Sequence, residues 1–206
     1  MTNATLSNPA FETQALSAAF LDWAAAVLLA PPTVDGTPHA LSADDSILLD
    51  AFAEEFGCAA AVHRLRRALN GAPADGEALD LAVAWTRLFG GLPGTDTAPP
   101  YEGAYAVECG VAPDGQACRS MHELLQYHGM SVVSNCHEPA DHISIELALF
   151  ANRLRNSDDT GARTVHERLT RWAPAFFARC RENDPSGFYA AVAEALGAVL
   201  ASPRWA

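Results

Sequence analysis

The sequence predicts an all-α protein of about eight helices. Apolar residues recur at the three- and four-residue spacing of an amphipathic helix in nearly every hydrophobic run. Alternating runs of strand length are lacking, since the nearest one, YAVECGV, is short. Hydrophobic residues make up 50% of the 206 positions, so the chain can bury a substantial core and form one domain.

Four helices are expected in the first 90 residues. The first ends at Pro31, and the second begins at Ser42, which precedes Asp45 by three residues as in a capping box. The third and fourth are expected at 58–70 and 75–89, each closed by a glycine. The expected buried side of the first helix is Phe11, Leu16, Phe20, Trp23, Val27 and Leu28. That of the second is Ile47, Leu48, Phe52 and Phe56.

Glycines and prolines interrupt the helical pattern between residues 90 and 110. We expect an irregular loop there. It carries Tyr101 and Tyr105, and a long loop with aromatic residues is usually packed down or used for binding.

The second half of the chain predicts four more helices. One spans 115–130, a connector follows at 131–138, and Pro139 suits the first turn of the next helix. A polar break at 156–161 then separates two closing helices, the first of which contains Pro174 as an expected kink.

The charge of the chain excludes several classes of function. The formal net charge is -12, all 13 basic residues are Arg, and none occurs before Arg64. Nucleic acid is therefore not an expected partner, whereas a cationic peptide is. The absence of Lys also excludes a Schiff base and the lysine of a phosphate-binding P-loop.

The remaining composition indicates a cytoplasmic protein. Five scattered cysteines form no CxxC motif and fit idle thiols in a reducing compartment. The apolar run around Asp22 lacks the basic start of a signal sequence and is too short to span a bilayer. We therefore expect no stable membrane insertion.

The stretch HEPADHISIEL, residues 137–147, concentrates polar groups around one proline. On a helix from Pro139, His142 would share a face with Glu146, and Asp141 would be an exposed residue of the first turn. The opposite stripe, Ile143, Leu147, Phe150 and Leu154, should be buried. A metal site, an acid/base pair and a solvated helix start all remain open, although the local pair supplies too few metal ligands and no nucleophile motif accompanies it.

Three stretches in series carry a family resemblance: AWTRLFGGLPGTDTAPPYEGAY, EPADHISIELALFANRL and HERLTRWAPAFFARCRENDPSGFYAAVAEALGAVL. Their order resembles the cytoplasmic chaperones of the TorD, DmsD and NarJ type, which mature molybdenum-containing oxidoreductases and recognise twin-arginine signal peptides. Trp85 stands where Tyr is commoner in the family, and Gly103 where Ser is usual.

The resemblance implies one TorD-like domain over 1–206 with two closely packed helical lobes. The lobes would span about 1–130 and about 139–206, with the connector as hinge, and the chain would be a monomer or a domain-swapped dimer. The implied client-peptide residues are Asp141, His142, Glu138, Tyr101, Pro100, Leu88, Phe89 and Trp85. For Trp85, Leu88 and Phe89, ordinary core packing is an equal alternative.

The function implied by the resemblance is that of a non-enzymatic chaperone. It would bind the twin-arginine signal peptide, the apo-form of a molybdopterin oxidoreductase, or both, and assist cofactor insertion before export. We expect no catalytic residue, metal or cofactor of its own. Two alternatives stay open: a metal-assisted hydrolase built on His142 and Glu146, and a generic helical adaptor.

Overall fold

A computed structural model of the protein describes residues 9–31, 43–70, 75–90, 96–106 and 115–205, and these form a helical bundle. The eight α-helices of this part are α1 Pro9–Leu29, α2 Ala43–Phe56, α3 Ala59–Asn70, α4 Asp75–Phe89, α5 Gln116–Tyr127, α6 Ile143–Arg155, α7 Asp159–Asn183 and α8 Phe188–Leu200. Two short 3-10 helices, Glu102–Tyr105 and Pro203–Trp205, complete it. The described residues contain no β-strand, so the all-α prediction is confirmed. None of their helices has the length and apolar character needed to cross a membrane.

The core lies around α6, α7 and α8. α1 packs along α6, α7 packs on both α6 and α8, and α3 packs on α8. Most of α8 is buried, as its high content of Ala and Val predicts, and α6 is buried on most of its surface. α1 therefore lies against a helix that the sequence assigns to the other lobe.

Aromatic residues fill the spaces between these helices. Phe20 of α1 stacks on Phe52 of α2 with ring centroids 4.0 Å apart, and Phe89 of α4 meets Tyr189 of α8 edge to face at 5.2 Å. Trp172 of α7 lies beside the 3-10 residue Tyr105. Such pairs add to the free energy gained from burying their area.

The predicted buried stripes are mostly confirmed. Phe20, Val27 and Leu28 are buried in α1, as are Ile143, Leu147, Phe150 and Leu154 in α6. The prediction for Ile47 is wrong, because its side chain is 69% exposed. The buried face of α2 contains Leu49, Phe52, Ala53 and Phe56, which share the three- and four-residue spacing, and Ile47 falls outside that stripe. The predicted cap Ser42 and the side chains of Phe11 and Leu48 lie outside the described residues.

The expected helix start at Pro139 is also wrong. α6 begins at Ile143, with His142 in extended conformation as its N-cap. Residues 139–142 form a turn whose backbone is bonded to a distant segment, and this prevents the helix from starting earlier. α7 continues through Pro174 to Asn183.

Candidate functional site

Two segments far apart in sequence pair through their backbones at the start of α6. The Glu102 N–H donates to the Asp141 carbonyl at 3.0 Å, and the Ile143 N–H donates to the Pro100 carbonyl at 2.8 Å. These bonds form an isolated antiparallel bridge between Tyr101 and His142. We call the paired segments, residues 100–103 and 138–143, the clasp. The clasp joins the Pro-Pro-Tyr-Glu loop to the Glu-Pro-Ala-Asp-His motif.

Side chains reinforce the clasp on both sides of the bridge. The Tyr101 hydroxyl donates to Oε2 of Glu138 at 2.8 Å, and the Tyr101 ring meets the His142 ring edge to face at 5.3 Å. Burial, followed by the Glu138 carboxylate, raises the pKa of Tyr101 to about 12, so the phenol keeps its proton and remains a donor. Tyr101 and Glu138 are both half-buried, and each presents part of its side chain to solvent.

Asp141 and His142 are buried, with 6% and 1% of their surface exposed. The expectation that they are exposed residues of a first helical turn is therefore wrong. Oδ2 of Asp141 accepts the Gly103 N–H at 3.1 Å, across the clasp. Nδ1 of His142 accepts the Ser144 N–H at 3.1 Å and so caps α6. Burial lowers the pKa of His142 to about 4, which keeps the ring neutral and Nδ1 able to accept.

A buried charge cluster lies beneath the clasp. Arg168 of α7 contacts the Glu102 carboxylate, donates from Nε to Oε1 of Glu146 at 3.3 Å, and also bonds the Ala117 carbonyl at 2.7 Å. Trp172 donates to Oε2 of Glu146 at 3.2 Å. We call Glu102, Glu146 and Arg168 the Glu–Arg–Glu cluster. The cluster ties the clasp to α5, α6 and α7 at once.

The carboxyl group of Glu146 keeps its proton at neutral pH. Burial is the largest cause that raises the pKa of Glu146, to about 8, and burial also raises the pKa of Glu102. One guanidinium can neutralise one carboxylate, and a second buried negative charge without a partner would be costly. The interpretation of Glu146 as a solvated side chain on the helix surface is wrong, because Glu146 is fully buried.

The apolar residues predicted for the site belong mainly to the core. Leu88 and Phe89 are buried, and Phe89 packs on Phe176 and Tyr189. Pro100 is buried within the clasp. Trp85 is half-buried, and its Nε1–H donates to the Leu28 carbonyl at 3.2 Å.

Arg168 and Glu102 were missed as organising residues by the sequence analysis. Both lie within the family-like stretches, but neither belongs to a spacing pattern that sets it apart from the residues around it. A charged residue inside an otherwise buried helical stripe, such as Arg168 between Val165 and Trp172, is the signal that could have indicated a buried partner. The residues of the described part bring no three metal-ligating side chains together.

A family-wide sequence profile described as "Nitrate reductase delta subunit" matches residues 52–181. The chain is 33% identical over 165 residues to a protein named "Chaperone protein TorD" from Vibrio cholerae, covering 74% of each chain. It is 31% identical over 157 residues to a TorD protein from Shewanella loihica, again over 74% of each. The chain belongs to the TorD/NarJ-type chaperone family.

The fold agrees with this membership. A crystal structure of a candidate redox enzyme maturation protein from Archaeoglobus fulgidus aligns with a TM-score of 0.54 over 98% of this chain and 99% of that one, at 21% identity. That likeness shows the all-helical TorD-like fold. The sequence relatives are named chaperones, and the chain belongs with them to one chaperone family.

Proposed function

We propose that the chain binds the twin-arginine signal peptide of a molybdopterin oxidoreductase, holds its apo-form, and assists cofactor insertion before export from the cytoplasm. The observation that carries the proposal is the clasp, where Glu138 stands half-exposed against the Tyr101 hydroxyl. A twin-arginine peptide offers two guanidinium groups beside an apolar stretch. Its receptor needs an accessible carboxylate next to apolar surface.

Within this proposal the clasp residues divide into two roles. Glu138 and Tyr101 reach solvent and contact the peptide, and half-buried Trp85 is the member of the apolar set that still presents surface. Asp141 and His142 act as positioning residues, because their polar atoms bond the backbone on each side of the bridge. Asp141 and His142 of the family motif then hold the backbone of the clasp in place, and Glu138 supplies the negative charge.

The acidity of the whole molecule favours such a partner. A net charge of -12 attracts a cationic peptide over a distance and speeds its encounter. Added salt screens this attraction over about 10 Å at 0.1 M, whereas burial of the apolar stretch of the peptide is not screened. We therefore expect affinity to fall with salt without vanishing.

Peptide titration by calorimetry tests the proposal. The wild-type protein is titrated with a twin-arginine peptide and with the same peptide carrying two glutamines in place of the arginines. Glu138→Gln should weaken binding of the arginine peptide by more than tenfold, since a hydrogen bond to a charged group is worth roughly 1.5–3 kcal/mol. Glu167→Gln, at an exposed position of α7, is the matched control and should leave affinity unchanged.

Two results would contradict the proposal. Equal binding of the arginine and glutamine peptides would indicate a generic helical adaptor. Equal losses of affinity in Glu138→Gln and Glu167→Gln would mean that only the overall charge matters and that the clasp is not the site.

A further inference from the structure

A groove of about 800 Å³ opens beside the clasp, between α5 and the connector that leads to residue 138. Val132 and Val133 line it on the connector side, and Cys118 and His122 line it on the α5 side. Glu138 also lines this groove, so one carboxylate belongs to both the groove and the clasp. The groove has the volume of a ligand-binding cleft and is continuous with the proposed peptide site.

Apolar surface is exposed at this groove. Val133, on the connector side, is 66% exposed. In the described part of the chain, the other large hydrophobic side chains with comparable exposure are Ile47 on α2, Val83 on α4 and Tyr127 at the end of α5. Val132 and Val133 therefore give the groove an apolar side that a hydrophobic segment of another chain can contact.

The charges around the groove favour a cationic occupant. Glu123 and Glu138 contribute two carboxylates, Arg119 contributes one positive charge, and the protein as a whole is strongly acidic. A second copy of the chain would bring the same negative charge to this surface, which disfavours self-association there. A segment that combines a basic end with apolar residues matches both the carboxylates and the exposed apolar surface of the groove.

We propose that this groove holds the apolar segment of the client peptide while Glu138 holds its basic end. The inference rests on the proposed function, which it extends by assigning the α5 and connector surface to the apolar segment. Val132 and Val133 then supply hydrophobic contact, and the peptide covers Cys118 and Cys136, which both line the groove.

Site-resolved thiol alkylation tests the groove directly. The protein is treated with N-ethylmaleimide with and without a saturating twin-arginine peptide, and each cysteine is followed by mass spectrometry. Alkylation of Cys118 and Cys136 should slow by about tenfold at a peptide concentration of about ten times Kd, because only the free protein reacts. Cys58, half-buried between α2 and α3, is the internal control and should react at an unchanged rate.

A pair of surface variants provides a second measurement. Val133→Ser should weaken peptide binding by about tenfold, from the apolar area that no longer leaves water. Val83→Ser, at a similarly exposed position on α4, should leave affinity unchanged. Both side chains are exposed, so neither variant should change the melting temperature.

The outcomes separate the groove from the proposed function. If the peptide binds and distinguishes its arginines but leaves Cys118, Cys136 and Val133→Ser unaffected, the groove inference is wrong and the proposed function stands. If no twin-arginine peptide binds, the proposed function is wrong, and the groove inference is wrong with it. Protection of both cysteines that rises with protein concentration in the absence of peptide would show that a second copy covers the groove, and would overturn the inference.

Discussion

Stability of this protein should fall as pH rises from 6.5 to 8, because the Glu–Arg–Glu cluster must release its proton. The pKa of Glu146 is about 8 in the folded protein and near 4.5 when unfolded. Between these values the folded state binds one more proton than the unfolded state, so the free energy of unfolding decreases with pH. The limiting slope for one proton is about 1.4 kcal/mol per pH unit, and it declines as the pH approaches the folded pKa. After the opposite effect of His142 is subtracted, the free energy of unfolding should fall by about 1 kcal/mol between pH 6.5 and 8.

His142 sets the lower limit of this window. Its pKa is about 4 in the folded protein and 6.5 when unfolded, so below pH 6.5 the unfolded state binds the extra proton. That contribution has the opposite sign and offsets the Glu146 effect between about pH 4.5 and 6.5. At pH 6.5 half of the unfolded chains still carry the His142 proton, and burial lowers the pKa of His128 as well, so the Glu146 slope is dominant only above about pH 7.

Urea denaturation at pH steps from 5.0 to 8.0, in wild type and in Glu146→Gln, measures this effect. Both oxygens of Glu146 accept hydrogen bonds, from Arg168 and Trp172, and Gln loses one of them. That lost bond costs about 1–3 kcal/mol independently of pH, and the variant also loses the pH-dependent contribution of the carboxyl group. The informative quantity is the slope of the free energy of unfolding against pH. This slope should be smaller in the variant, while the free energy of unfolding itself should be lower. A wild-type stability that is flat or rising from pH 6.5 to 8, or an unchanged slope in Glu146→Gln, would refute a protonated Glu146.

Four further variants test the clasp and the core. Replacing Asp141 and His142 together by Ala removes a bond across the clasp and the cap of α6, so the free energy of unfolding should fall by about 2–4 kcal/mol in urea titrations. Combining Asp141→Ala with His142→Asn should cost less stability than the double Ala variant, because Asn can also cap α6. A double Ala variant as stable as wild type would contradict the burial of both residues. Leu147→Ala, at a fully buried position of α6, should cost roughly 2–5 kcal/mol, and a loss under about 1 kcal/mol would place it outside the core. Tyr101→Phe removes the hydroxyl bond to Glu138 and should shift stability by no more than about 1.5 kcal/mol, while calorimetry should show weaker peptide binding if Tyr101 orders the carboxylate; unchanged binding would deny it that role.

The helices could be predicted from the sequence because their information is local. The stripe through Ile143, Leu147, Phe150 and Leu154 repeats every three or four residues, and the structure buries all four. The prediction for Ile47 is wrong because Ile47 lies outside the face of α2 that Phe52 and Phe56 share.

The candidate site was harder to predict because its information is not local. Pro139 would favour a helix start on its own, but the backbone of residues 141–143 bonds Pro100 and Glu102 about forty positions earlier. This pairing holds the backbone of His142 in extended conformation, buries Asp141 and moves the start of α6 to Ile143. The partnership of Glu102, Glu146 and Arg168 likewise depends on the packing of three elements, which no spacing rule within one helix contains.

Glu102 joins the clasp to the charge cluster, and this has a consequence for how the site works. Its N–H bonds the Asp141 carbonyl within the clasp, while its carboxylate contacts Arg168 in the core. Tyr101, the residue before Glu102, donates a hydrogen bond from its hydroxyl group to Glu138. A continuous set of bonds therefore connects the cluster to the carboxylate that we propose to bind the peptide, although all three cluster residues are buried. We accordingly propose that the buried charges fix the position of Glu138, and we expect variants of Arg168 to change peptide binding through the position of that carboxylate.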